Sequence, residues 1–98
     1  MSNYIREIKV SRFEPYPAEE PNSWAVGFTV VLTNGRSFYI DTAVPYSDFE
    51  GQEVVNDEDV VAKAYEKLKD SINSQADALG KKPSVLGKTF TPPTQSTQ

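Results

Sequence analysis

Residues 24–44 read WAVGFTVVLTNGRSFYIDTAV, and the way this stretch turns back on itself decides the rest of the fold. Two runs rich in β-branched and aromatic residues, WAVGFTVVLT and RSFYIDTAV, flank Asn34–Gly35, a strong short-range hairpin signal. The side-chain pattern discriminates between turn types. A two-residue loop would pair Thr33 with Arg36, Val30 with Tyr39 and Phe28 with Asp41, dividing the apolar groups between both faces. A three-residue loop of Thr33, Asn34 and Gly35, with Gly35 left-handed in a G1 bulge, pairs Leu32 with Arg36 instead. It then sets Val30 opposite Phe38, Phe28 opposite Ile40, Val26 opposite Thr42 and Trp24 opposite Val44. That register collects Trp24, Val26, Phe28, Val30, Leu32, Phe38, Ile40 and Val44 on one face. A slip of one residue would turn the whole set over, so burial enforces the bulged register. The other face carries Ala25, Gly27, Thr29, Val31, Ser37, Tyr39, Asp41 and Ala43. It is small and mildly polar, with Val31 and Tyr39 as its sizeable apolar surfaces.

On the N-terminal side, Tyr4 to Phe13 reads as a strand in which apolar residues alternate imperfectly with charge: Ile8 and Val10 on one face, Glu7 and Lys9 on the other. Glu14 to Ser23 holds three prolines and three glutamates and reads as an ordered connection that leaves the ladder. On the C-terminal side, Pro45 to Val55 is a second loop. A helix follows over about 57–79. Asn56 is its N-cap with Asp59 as returning acceptor, and Val55 with Val60 forms a hydrophobic staple. Asp57 and Glu58 suit the positive helix end. The stripe Val61, Ala64, Tyr65, Leu68, Ile72, Ala76 and Leu79 repeats at three and four residues. Gly80 reads as the C′ stop, with Lys81 and Lys82 at the negative end and Pro83 beyond. The fold class is therefore α+β: a small antiparallel sheet of three or four strands with one long amphipathic helix packed across one face. Residues 1–82 form a single compact domain on this reading, and residues 83–98 a C-terminal tail, disordered from Thr91 onward, in which Val85, Leu86 and Phe90 have apolar surface to dock in cis or in trans.

Composition narrows the function. The 98 residues include no cysteine and no histidine, which removes disulfides, thiol nucleophiles, imidazole catalysis and Cys or His metal sites together. A chain this short also lacks the volume for a deep active site. Fourteen acidic against ten basic residues give net charge −4, and the bases are scattered, so direct nucleic-acid binding is not expected. No run approaches the ~18 apolar residues of a membrane span, and the N-terminus lacks a secretory signal pattern. The expectation is a cytoplasmic protein without membrane contact.

The remaining polar clusters read as structure. Asp57, Glu58 and Asp59 point in different directions around a helix start. Asp48, Glu50 and Glu53 with Gly51 have the density of a calcium loop but not its spacing. Leu79–Gly80–Lys81–Lys82 follows a helix, so its amides do not open toward a phosphate. No catalytic residue, metal site or cofactor is expected, and the protein is read as not an enzyme. The aromatics are more informative. Trp24, Phe28 and Phe38 fall in the core register, whereas Tyr16, Tyr46 and Phe49 fall in loops, where they cap the core or anchor a partner. With one face of the sheet uncovered and at least one edge unpaired, self-association is the favoured expectation. The candidate interface residues are Val31, Tyr39, Tyr46 and Phe49. The function expected is a non-catalytic interaction or regulatory protein, a small accessory factor or inhibitor that binds a larger protein and works as a homo-oligomer. The alternative is a metabolite-binding protein with a pocket between subunits, using Arg12, Arg36, Tyr39 and Asp41.

Overall fold

A computed structural model describes residues 2 to 93 of the chain. Strands β1 (Ile5–Tyr16), β2 (Ser23–Leu32) and β3 (Ser37–Pro45) form an antiparallel sheet in the order β1-β2-β3. A short 3-10 turn, Tyr46–Phe49, leads toward the long helix α1 (Asp57–Gly80), which lies across one face of the sheet. This is the α+β architecture read from the hairpin and the helical stripe, with three strands among the described residues.

β2 and β3 pair in the bulged register. Trp24 faces Val44, Val26 faces Thr42, Phe28 faces Ile40 and Val30 faces Phe38. The Leu32 amide donates to the Arg36 carbonyl at 2.8 Å, and Gly35 closes the turn at φ +88°, a left-handed conformation in which any Cβ is strained. The core forms where this face meets the helix: Val26, Phe28, Val30, Leu32 and Val44 pack with Val60, Ala64, Ile72 and Ala76. The Phe28 ring meets Tyr65 edge-on at a centroid distance of 6.3 Å. Burying side chains such as Leu32 and Ile72 completely contributes ~1.5–3 kcal/mol each.

β1 corrects the sequence reading in two ways. It continues through Glu14, Pro15 and Tyr16, which pair with Ala25, Trp24 and Ser23, so the connection is shorter than Glu14–Ser23. Proline is tolerated because β1 is an edge strand and Pro15 falls at a position whose amide would face away from β2. β1 also carries two register shifts, between Ile5 and Glu7 and between Val10 and Arg12. Val10 shares the helix-side face with Ile8 but remains 49% exposed, since α1 lies over β2 and β3 more than over β1.

Both helix ends differ from expectation. Asn56 has the extended backbone of an N-cap, but its side chain makes no capping bond; the Asp59 and Val60 amides bond instead to its carbonyl at 3.0 and 3.3 Å. At the other end Gly80 is still helical and Lys81 is right-handed, so no left-handed C′ residue ends the helix. Glycine at position 80 has a packing cause, because a Cβ there would collide with the Tyr4 side chain. The terminal carbonyls are satisfied from the sheet: the Asn34 side-chain amide donates to Leu79 and Lys82 oxygens, each at 2.9 Å. Ahead of β1, the buried Ser2 donates its amide to Asn73 Oδ1 at 2.9 Å and its hydroxyl to Asp77 Oδ1 at 2.7 Å, fastening the chain to α1.

Beyond the helix, Arg36 donates from Nη2 to the Pro83 carbonyl at 2.9 Å. Val85, Leu86 and Phe90 are 80%, 53% and 78% exposed, so none of them is buried against this copy of the chain. Thr91, Pro92 and Pro93 are exposed, and the disorder expected for the rest of the tail falls on residues 94–98, outside the described residues.

Candidate interaction face

The face of the sheet away from α1 is built by strand parity and one bulge. Ile8 and Val10 point toward the helix side, and strict alternation would send Arg12 there too. The shift between Val10 and Arg12 inserts one residue, turning Arg12 onto the open face opposite Gly27 and Phe13 into the core. Glu14 and Tyr16 then follow on the open side, opposite Ala25 and Ser23. From β3, Tyr39 and Asp41 rise on the same face opposite Thr29 and Gly27.

Arg12 is the hub. Its Nε donates to Glu14 Oε2 at 2.8 Å, its Nη2 lies 2.6 Å from the same oxygen, and its Nη1 lies 3.6 Å from Asp41 Oδ2. The guanidinium also stands over the Tyr16 ring, 6.0 Å from its centroid. The hydrogen bond that Arg12 donates to Glu14, with the charge of that carboxylate, holds the Arg12 pKa above its ordinary value despite some desolvation. Nearby, the Ser11 and Thr29 hydroxyls share a hydrogen bond of 2.6 Å. The phenol end of Tyr39 covers Gly27, close enough that a Cβ on Gly27 would collide with its Oη. Tyr16 and Tyr39 are each 49% exposed. Beside Tyr16 a shallow depression of about 210 Å³ is lined by Arg12, Tyr16, Ala25, Asp41, Thr42 and Ala43.

Of the residues singled out for ligand binding, Arg12, Tyr39 and Asp41 come together and Arg36 does not. Arg36 sits at the opposite end of β3, bonded to Pro83. Of the residues singled out for an interface, Val31 is half-buried on the open face opposite Ser37, and Tyr39 is at its centre. Tyr46 leans on Trp24 at 4.4 Å between ring centroids and keeps an exposed edge at the end of the sheet. Phe49 belongs instead to the core: it is buried and meets Trp24 edge-on at 5.5 Å. An apolar ring so close to the open end of the sandwich closes it against water, which removes Phe49 from the accessible surface. Sequence reasoning gave Glu14 no role and weighed Tyr16 as a core cap or partner anchor in a loop, because the prolines around them hid the strand that carries both onto the open face. The broken spacing of Ile5, Ile8, Val10 and Phe13 was the available signal, since two departures from strict alternation mark two bulges.

Charge is unevenly distributed along the molecule, although Lys67 pairs with Asp48 at 3.5 Å and Arg12 with Glu14 within the acidic end. Glu14, Glu19, Glu20, Asp48, Glu50, Glu53 and the helix start Asp57, Glu58 and Asp59 gather at the end where β1 and β3 finish. That is nine of the fourteen acidic residues. Arg36, Lys81, Lys82 and Lys88 gather at the hairpin end, where Asn34 and Arg36 reach the chain past the helix. Among the described residues no three potential ligand side chains converge on a metal position, and no helix is long and apolar enough to cross a membrane. Compared with protein-family models, with curated proteins and with solved structures, the chain shows no match.

Proposed function

We propose that this protein is a non-catalytic interaction protein, a small accessory or inhibitory factor that docks on a larger protein through the open face of its sheet and works as a homo-oligomer in the cytoplasm. The observation that carries the reading is the pair of half-exposed rings, Tyr16 and Tyr39, held on strands beside Ala25 and Ala43. Rings fixed by their strands lose little freedom when covered, and the small, exposed Ala43 leaves room for a partner's side chain beside them. The acidic end adjoins this face through Glu14, Glu19 and Glu20, so the complementary partner presents basic residues at the margin of its contact.

The metabolite-binding alternative draws less support. The guanidinium that would receive an anionic ligand is already shared by Glu14 and Asp41, and the depression beside it is shallow. A carboxylate enzyme draws less still, because Glu14 and Asp41 flank one arginine instead of facing each other across a cleft.

The test compares wild type with a Tyr16→Ala/Tyr39→Ala double variant in capture from lysate, followed by calorimetric titration of the purified retained protein. The expected result is a partner whose affinity falls ~10-fold or more in the variant and weakens with added salt. Equal binding by both forms would refute the docking face. Saturable heat with nucleotides or common metabolites, and none with any protein, would transfer support to the alternative.

A further inference from the structure

The two edges of the sheet are built differently. β1 carries two register shifts, Pro15 on its outer side, and charge at Arg6, Glu7, Lys9, Arg12 and Glu14. Bulges, proline and charge are the devices that keep an edge from pairing. From Ser37 to Val44, β3 has none of them except the charge of Asp41: its ladder with β2 is uninterrupted, and Phe38, Tyr39, Ile40, Thr42 and Val44 all favour extended backbone. The Leu32–Arg36 bond fixes which groups point where. Alternation turns the amides and carbonyls of Phe38, Ile40, Thr42 and Val44 toward β2, and those of Ser37, Tyr39, Asp41 and Ala43 outward. Among the described residues no backbone hydrogen bond outside the sheet reaches these outward groups, and the chain past the helix runs by Gly35 and Arg36 without pairing to them.

We propose that the outer edge of β3 is the interface with a second copy of this chain, paired antiparallel about a two-fold axis at Ile40 to give one continuous six-stranded sheet. The proposal rests on the homo-oligomeric reading above and names its surface. Two properties choose this occupant. The first is self-complementary register: with Ile40 facing Ile40 of the second copy, Tyr39 meets Asp41 and Ser37 meets Ala43 as bonded pairs, which uses every outward group on both strands. The second is charge. Antiparallel pairing lays Arg36, Lys81 and Lys82 of each copy beside Glu50 and Glu53 of the other, whereas parallel pairing would set like against like. Both helices lie on one side of the joined sheet, and the two open faces stand next to each other on the opposite side. A partner with repeated basic sites would then be gripped twice.

The chain has no cysteine, so an introduced one reports a single contact. In a non-bonded antiparallel pair the facing Cα atoms are ~4.5 Å apart, a separation that a disulfide spans. Ile40→Cys should therefore give a disulfide-linked dimer on mild oxidation, and Thr42→Cys, which faces Phe38 of the second copy, should not. Ile40 is half-buried, so charge variants at exposed positions provide a second route that does not disturb the core. Lys81→Glu/Lys82→Glu and Glu50→Lys/Glu53→Lys should each sediment as monomers under conditions where wild type is a dimer, and an equimolar mixture should recover the dimer. Equal linking of the two cysteine variants, or dimers persisting in both charge variants, would overturn the β3 interface. A dimer that fails to link through Ile40→Cys, in protein whose circular dichroism is native, would overturn this interface and leave the homo-oligomeric reading standing. A wild-type monomer at all concentrations would overturn both.

Discussion

Asn34, in the turn between β2 and β3, donates its side-chain amide to the Leu79 carbonyl of α1 at 2.9 Å, so one residue both shapes the hairpin and closes the helix. Its Oδ1 accepts from the Arg36 amide at 3.0 Å, the bond that stabilises the turn, while Nδ2 serves the helix carbonyls of Leu79 and Lys82. Asn34→Asp separates the two roles. The aspartate keeps the acceptor for Arg36 but removes the donor and adds a negative charge at the negative end of the helix. The expected cost is ~1–3 kcal/mol in urea melts, read as a lower midpoint with an unchanged slope. A cost no larger than that of a neutral surface substitution would show that the helix end is served by water.

The contact of Tyr39 with Gly27 makes a second prediction. Gly27 has ordinary extended backbone, so alanine there is disfavoured only by the ring above it. In wild type, Gly27→Ala should push the Tyr39 ring off the sheet and be neutral or destabilising. In a Tyr39→Ala background the same change should stabilise by ~0.5–1 kcal/mol, because alanine loses less backbone freedom than glycine on folding. The coupling is measured by a double-mutant cycle. Additive effects would mean that the ring does not rest on Gly27.

The contrast between these residues explains what could be read from the sequence. The β2–β3 register was legible because a one-residue slip exposes Phe28, Val30 and Leu32 together, and the Asn34–Gly35 turn is a local signal. The helix was legible from its stripe. Asn34 as a helix cap was not, since its partners lie 45 or more residues away and no periodicity joins them. Gly80 read as a stop because glycine commonly ends helices, when its cause is the Tyr4 side chain arriving from the other end of the chain. At the candidate face, Tyr39 and Asp41 followed from hairpin parity. Glu14 and Tyr16 did not, because prolines normally leave a sheet, and only the edge position of β1 allows Pro15 to stay.

The helix stripe yields a graded prediction. Ile72 is fully buried between α1 and the sheet, whereas Leu68, one turn earlier, is half-buried. Ile72→Ala should cost ~2–5 kcal/mol, with Leu68→Ala at or below the lower end of that range. Chemical melts of both variants check the order. The reverse order would mean that α1 is rotated about its axis from the packing described. Asn56→Ala, whose side chain makes no capping bond, should fall below the ~1 kcal/mol typical of a lost cap.

Arg12 separates stability from binding. Its pKa is raised by Glu14, so the guanidinium stays charged throughout the working pH range and only substitution can remove it. Its side chain is 36% exposed and its ion pairs are screened by solvent, so Arg12→Met should leave the urea midpoint close to that of wild type. Binding should respond differently. With the cation gone, Glu14 and Asp41 are both uncompensated, and the open face becomes continuous in charge with the acidic end. A basic partner should then associate faster at low salt, with the gain disappearing as the Debye length shrinks below ~10 Å. Stopped-flow association of the captured partner with wild type and Arg12→Met across a salt series measures this. A slower association in the variant would place an acidic group of the partner against Arg12 and reverse the charge assigned to the contact.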